Sequence, residues 1–242
     1  TGVQNTVVGY AGFAGTASTG SYNSAFGYAA LNSTTSGQYN VALGHSALQA
    51  NTTASNNTAV GYQSLNANTA SSNTAVGFIS AVNNTTGSGN TSVGANSLQS
   101  NTTGSSHVAV GLQALYGNTT GAYNTALGYA ALNSNTTASN NTAVGYQAGV
   151  LNTTGANNTA LGNVALNVNT TGNYNTAVGQ CALYANTIGC YNAAVGQCAM
   201  TANTTGSCNT ALGNTALALN TIGCANTAIG QQALGGNTTG NY

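Results

Sequence analysis

Asn141-Thr-Ala-Val-Gly-Tyr-Gln-Ala148 and Asn175-Thr-Ala-Val-Gly-Gln-Cys-Ala-Leu183 are two copies of one phrase, and Asn-Thr-Thr-Gly, as in Asn169-Thr-Thr-Gly172, separates such copies along the chain. The glycine of the phrase recurs as Gly9, Gly27, Gly44, Gly61, Gly77, Gly94, Gly111, Gly128, Gly145, Gly162, Gly179, Gly196, Gly213 and Gly230. The steps are 18, 17, 17, 16 and then 17 nine times. A period of this size that runs the length of a chain marks stacked structural units, each burying its apolar face against its neighbours.

Aligned on the glycine, the columns separate by chemistry. The residue before it is always large and apolar, as in Val60, Val76, Val93 and Val110, and a second apolar column four residues after it includes Leu115 and Leu132. We read both as core. Two short apolar stretches per period, bounded by Gly and Asn-Thr-Thr-Gly, are too short for ordinary helices and rich in turn formers. They predict an all-β fold, a parallel β-solenoid (β-roll) of about 14 coils of 17 residues with two short strands per coil. Residues 1–242 read as one repetitive β-solenoid domain. The repeat is entered partway at Thr1-Gly2 and left at Tyr242, which leads us to expect a processed chain or a segment of a longer one.

Two columns hold asparagine almost without exception. One contains Asn57, Asn73, Asn90, Asn124 and Asn141, interrupted by His107, and the other contains Asn118, Asn135, Asn152 and Asn169. Stacked amides donate to one neighbour and accept from the other, and we expect both columns to form structural ladders. Asn-Thr-Thr also satisfies the N-glycosylation sequon, which makes Asn51, Asn101 and Asn118 candidate acceptors and surface glycans candidate partners. The ladder reading is favoured because Asn186 and Asn220 keep the amide where Ile188 and Ile222 destroy the sequon. Thr52, Thr69, Thr85 and Thr102 form a further row, and a flat uncharged threonine array is the surface an ice-binding solenoid would use.

Asp, Glu, Lys and Arg are absent from all 242 residues, where an ordinary domain carries about a quarter of its residues as these four. Paired carboxylates, a carboxylate to orient a catalytic histidine and a phosphate clamp are thereby excluded. We expect no enzyme, no catalytic residues, no cofactor, no metal, no nucleic-acid partner and no membrane span. With 41% hydrophobic residues and no proline, the chain also differs from disordered sequences of low hydrophobicity and high net charge.

The residue after the glycine is aromatic in the first part of the chain, as in Tyr10, Tyr28, Tyr62 and Phe78, and an amide later, as in Gln180 and Gln197; His45 falls in this column. Aromatic stacking along such a face binds sugar or a neighbouring rod, or simply packs coil on coil. All five cysteines, Cys181, Cys190, Cys198, Cys208 and Cys224, lie in the last third. Cys181 and Cys198 are one period apart, so their Cα atoms should lie about 4.8 Å apart, inside the disulfide range. They are the candidate disulfide.

The phrase Asn-Thr-Ala-Val-Gly-x-x-Ala-Leu resembles the Ser-Val-Ala-Ile-Gly repeats in the head domains of trimeric autotransporter adhesins. Together with Asn-Thr-Thr-Gly it also resembles the repeat arrays of bacterial and phage tail-fibre-like proteins. The resemblance implies a β-roll and, for the adhesins, packing as a trimer. We expect a structural protein, the subunit of an extracellular or surface fibre that assembles by end-to-end stacking of solenoid coils. Its partner would be itself, as a homo-oligomer, filament or trimer, at the cell or virion surface. The alternatives are an adhesin or phage-type receptor-binding fibre shaft, and an ice-binding β-solenoid.

Overall fold

A computed structural model describes residues 2–13 and 18–241. The chain divides into two compact units, Thr1–Tyr123 and Asn124–Tyr242. The first carries β1 (Thr6–Val8), β2 (Ser24–Phe26), β3 (Val41–Leu43), β4 (Thr58–Val60), β5 (Thr74–Val76), β6 (Thr91–Val93) and β7 (Val108–Val110). The second carries β8 (Thr125–Leu127), β9 (Thr142–Val144), β10 (Thr159–Leu161), β11 (Thr176–Val178), β12 (Ala193–Val195), β13 (Thr210–Leu212) and β14 (Thr227–Ile229). Within each unit every strand pairs in parallel with the next and in register, position on position, as Thr142, Ala143 and Val144 do with Thr159, Ala160 and Leu161. Each unit is therefore an all-β parallel β-solenoid, and its repeat is the 17-residue phrase.

The strands are only three residues long, and that parity decides which side chains enter the core. In a strand, first and third residues share one face and the second takes the other. In β9 the middle Ala143 is fully buried, while Thr142 and Val144 lie half-buried on the outer face. The column of Val60, Val76, Val93 and Val110, expected in the core, is thus corrected to the outer face, where Leu43 and Ile229 of the same column are 48% and 68% exposed. Leu115 and Leu132 are buried as expected, at 0% and 3% exposure. The strand-centre column needs small residues because it touches the opposite wall of the coil. Ser92, at the centre of β6, places its hydroxyl 2.7 Å from that of Ser97 and 2.9 Å from that of Ser80. Elsewhere these positions are mostly Ala facing Ala, which leaves no room for a longer side chain.

Among the described residues each coil has one strand, not the two expected. The second apolar stretch is a run of turns in which the second and fourth residues after the glycine have positive φ, for example Gln63 at 53° and Leu65 at 49°. The hydrogen bonds show what this alternation does. The Gln63 N–H donates to the His45 carbonyl of the preceding coil at 2.9 Å, and the Leu65 N–H donates to the Ser80 carbonyl of the following coil at 3.0 Å. Successive donors are sent to opposite neighbours, so the stretch stacks through its backbone without a ladder of the ordinary strand type. A left-handed non-glycine residue costs roughly 1–2 kcal/mol. Full burial of a leucine side chain returns about 1.5–3 kcal/mol, and Leu48, Leu65, Leu98, Leu115, Leu166 and Leu183 are all buried.

The marker glycine itself is held at φ 129° in Gly179, where an added Cβ would lie 2.6 Å from the carbonyl oxygen of Gly196. Both dihedral and space demand glycine there. The core is consequently a thin column of Ala and Leu. We predict that Leu115→Ala lowers stability by about 2–5 kcal/mol, whereas Val110→Thr, on the outer face, changes it by about 1 kcal/mol or less. Urea denaturation followed by circular dichroism checks the pair, and equal losses would contradict the inside-outside assignment.

Candidate functional site

The chemistry of this chain lies between coils, in the ladders that join each coil to the next. The first asparagine column follows the turn and enters the strand. Asn124 Oδ1 accepts the backbone N–H of Asn141 at 2.9 Å, and its Nδ2 donates to the Ala138 carbonyl at 2.8 Å. Asn141 repeats the arrangement with Asn158 and Gly155, both at 2.9 Å. Each amide therefore bridges to the following coil with both of its polar atoms, doing for the turn what a strand ladder does for a sheet.

The second asparagine column is joined amide to amide. Asn152 Nδ2 donates to Asn135 Oδ1 at 3.0 Å, Asn169 to Asn152 at 2.7 Å and Asn186 to Asn169 at 2.8 Å, while each Nδ2 also reaches the carbonyl three residues ahead in its own turn. In the first unit Asn118 continues to Asn101 at 2.8 Å and Asn101 to Asn84 at 2.7 Å. In each of these five amide pairs the donor points to the preceding coil, so the amide dipoles align and reinforce one another. These asparagines are buried, and a buried amide is costly unless its groups are matched.

That burial corrects the glycosylation expectation. Asn51, Asn101 and Asn118 are all 0% exposed. The nitrogen a glycan would occupy donates to Ala54 O at 3.1 Å in Asn51, to Gly104 O at 2.9 Å in Asn101 and to Gly121 O at 3.1 Å in Asn118. In the folded stack Asn101 and Asn118 are ladder members, and Asn51 is held within its own turn.

Threonine hydroxyls follow the same logic. Thr85 Oγ1 donates to the Thr102 carbonyl at 2.8 Å, Thr102 to Thr119 at 3.1 Å and Thr153 to Thr170 at 2.9 Å. In these members the hydroxyl hydrogen is engaged along the stack. A further column was not anticipated from sequence, because its members are chemically mixed. Two residues before the first-column asparagine, a side chain of one coil caps a backbone N–H of the coil before. Ser105 Oγ accepts from Ser88 at 3.0 Å, Asn173 Oδ1 from Ala156 at 2.7 Å, and the sulfurs of Cys190 and Cys224 from Asn173 and Ser207 at 3.3 Å. The shared signal is a side-chain acceptor of modest length at one register position.

The aromatic column of the first unit is continuous from Tyr10 through Tyr28, His45 and Tyr62 to Phe78, with ring centroids 5.0–5.6 Å apart and planes within 25°. Sugars bind the open face of a ring, whereas Tyr28, His45 and Tyr62 have a ring on each face. Cross-coil packing is the reading this geometry supports, and it seats His45 as one ring of the stack. A second ring column, Tyr22 on Tyr39 at 5.0 Å and Tyr174 on Tyr191 at 4.9 Å, stands at left-handed positions. His107, in the first asparagine column, is fully buried. Its backbone N–H donates to Asn90 Oδ1 at 3.0 Å, and its Nε2 lies 3.1 Å from Asn118 Nδ2.

No group of three or more metal-ligating side chains converges among the described residues. A shallow recess of about 480 Å³ is lined by Thr215, Ala218, Leu219, Gln232, Gly235 and Gly236, none of them titratable. Cys181 and Cys198 occupy one column in adjacent coils as free, half-buried thiols. Burial, with Cys198 as the second cause, pushes the Cys181 thiol above its ordinary value. No helix is long and apolar enough to cross a membrane among the described residues. No family model, curated protein or solved structure matches the chain, so the ladders themselves carry the functional argument.

The ladders also locate a fault. The single 16-residue step, Gly61 to Gly77, falls where the turn reads Asn68-Thr-Ala-Ser-Ser-Asn73, one residue shorter than Asn51-Thr-Thr-Ala-Ser-Asn-Asn57. With the turn shortened, Asn68 Nδ2 is drawn to Ala70 O at 2.6 Å, and both Asn51 Oδ1 and Asn57 Nδ2 are left without a partner. A buried unsatisfied group costs about 1–3 kcal/mol. Inserting Thr between Thr69 and Ala70 is therefore predicted to raise the stability of the chain by about 1–3 kcal/mol, read as an upward shift of the urea midpoint. An unchanged or lower midpoint would count against the ladder accounting.

Proposed function

We propose that this chain is a structural protein, the subunit of an extracellular or surface fibre built by stacking solenoid coils end to end. The observation that carries the reading is the interchangeability of coil faces. The donors and acceptors that one coil presents to the next are the same set it receives from the coil before, through the strands, both asparagine columns and the threonine row. Two copies can therefore meet as two coils within a copy do, by adding strand to strand. Natural sheets protect such edges with charge or proline, and this sequence contains neither. Interactions between copies would be hydrogen-bonded and apolar, with no charge repulsion to limit growth.

The chain on this reading is not an enzyme. Its side chains are engaged in holding coils together, and it has no carboxylate, lysine or arginine to supply acid-base or electrophilic chemistry. An adhesin or receptor-binding fibre shaft shares the same architecture and the same sequence resemblance. It differs in requiring a recognition surface, for which the stacked ring faces give no support. Ice binding has less again, since the turn threonines donate along the stack.

Electron microscopy of purified material should show long thin fibres, with a fibre-diffraction repeat of about 4.7–4.8 Å. Between about pH 5 and 8, where histidine is the ordinary titrating side chain, and from low to molar salt, the fibres should persist. Short dispersed particles under all these conditions, or dissolution on adding salt, would contradict the proposal.

A further inference from the structure

The five cysteines stand in three different chemical situations. Cys190 and Cys224 belong to the capping column: their sulfurs accept backbone N–H groups of the preceding coil, and Ser207, the intervening member of that column, keeps them two coils apart. Cys208 is exposed at a left-handed position, φ 60°, in the column of Tyr174 and Tyr191, and meets Cys190 only through a backbone hydrogen bond of 3.0 Å to its carbonyl. Cys181 and Cys198 differ from all of these. They share one register position in successive coils, with near-identical φ of 57° and 53°. Each backbone is pinned to the coil before it, Cys181 N–H to the Asn163 carbonyl at 3.1 Å and Cys198 N–H to the Gln180 carbonyl at 2.9 Å. The pairing of β11 with β12, Val178 on Val195, fixes the same register three residues upstream.

We infer that Cys181 and Cys198 form a redox-dependent covalent clip between two adjacent coils of the second unit, and that the other three cysteines take no part in it. One coil step of about 4.7–4.9 Å lies within the Cα separation of about 4.4–6.8 Å that a disulfide spans, so closure needs rotation of two side chains and no change of register. The oxidant is a small-molecule disulfide of the glutathione class. The thiolate of one cysteine attacks it, releasing one small thiol and leaving a mixed disulfide. The second cysteine thiolate attacks the protein sulfur of that intermediate and releases the second small thiol. Two cysteine thiols and one small disulfide thus become one protein disulfide and two small thiols. The extracellular setting proposed above supplies such an oxidant, and the inference rests on that reading only for its supply.

The position has a structural meaning. Rings stack in the column after the glycine from Tyr10 to Phe78 and at Tyr129 and Tyr146, 5.2 Å apart, but at Gln180 and Gln197 that column carries amides joined by one exposed bond of 3.3 Å. The clip sits one residue beyond those amides, where this column no longer stacks rings and the ring contact between the same two coils is that of Tyr174 on Tyr191 in the other column. Serine and threonine already stand at this register position in Ser46 and Thr215, so Cys181→Ser and Cys198→Ser are substitutions the coil accepts.

The test uses the intact chain, incubated folded with oxidised glutathione, cleaved with cyanogen bromide at Met200 to separate Cys198 from Cys208, and then digested with a protease that cuts after aromatic and leucine residues, since there is no Lys or Arg to cut. Mass spectrometry should find the peptides of Cys181 and Cys198 joined, with the other three cysteines not joined to either. Oxidation should raise the urea midpoint of the wild-type chain and leave that of Cys181→Ser and of Cys198→Ser unmoved. A different pairing, the absence of any Cys181–Cys198 link, or an equal midpoint shift in the serine variants would overturn the inference. Fibre imaging is unaffected by each of these outcomes, so the clip and the fibre reading fail independently.

Discussion

Every coil of this protein must find, at one fixed axial spacing, a partner for each polar group it buries. That constraint explains why the turns are as repetitive as the strands. A coil of 17 residues with a three-residue strand leaves most of its backbone outside any regular sheet, and unpaired buried backbone groups are costly. Asparagine answers this because its side chain carries the same donor and acceptor pair as a peptide group. Placed at Asn124, Asn141 and Asn158, it accepts from the next coil's N–H and donates to the next coil's turn carbonyl. The side chain thus substitutes for the missing strand. Glutamine would be one methylene too long for that geometry, and aspartate would lack the donor.

The absence of charge belongs to the same constraint. In a stack with one column per register position, a charged residue admitted to the repeat would face its own copy one coil above and one below, at about 4.7–4.9 Å. Like charges at that distance repel even near water, and more strongly where the dielectric is lower. A neutral amide or hydroxyl placed the same way attracts its copy. Repetition therefore rewards Asn, Thr, Ser and Tyr in a column and penalises Lys or Glu. Mixed columns survive where the required function is loose, as in the capping column, in which Ser105, Asn173, Cys190 and Cys224 all serve as acceptors.

Register was fully legible in the sequence, and side-chain direction was not. Counting from the glycines places Asn152 on Asn135, Tyr28 on Tyr10 and Cys198 over Cys181, since each follows from the period alone. The column of Val60 and Val110 reads as core because every member of it is large and apolar. Parity overrides size: only the middle of three strand residues faces in, and the interior at that point is too narrow for more than Ala or Ser. The second strand was misread for a related reason. Gln147-Ala148 and Cys181-Ala182-Leu183 have the composition of a strand, but nothing in composition reports a backbone that alternates between ordinary and left-handed φ. Such positions are usually inferred from glycine or asparagine, and here they carry leucine.

Leucine at a left-handed position shows how the stack shares its costs. In an isolated turn, Leu183 at φ 49° would be strained without return. In the solenoid its N–H reaches the Ala199 carbonyl at 3.0 Å, its side chain is completely buried, and Met200, the next residue in the column, occupies the same conformation one coil on. Strain, hydrogen bond and burial repeat together, so a coil is favourable only when a neighbour is already in place. Stability then resides chiefly in the contact between coils and not in the coil. A protein organised this way gains from each added neighbour, whether that neighbour comes from its own chain or from another copy. This is the physical basis of the proposal that a stack without charge serves as a fibre subunit.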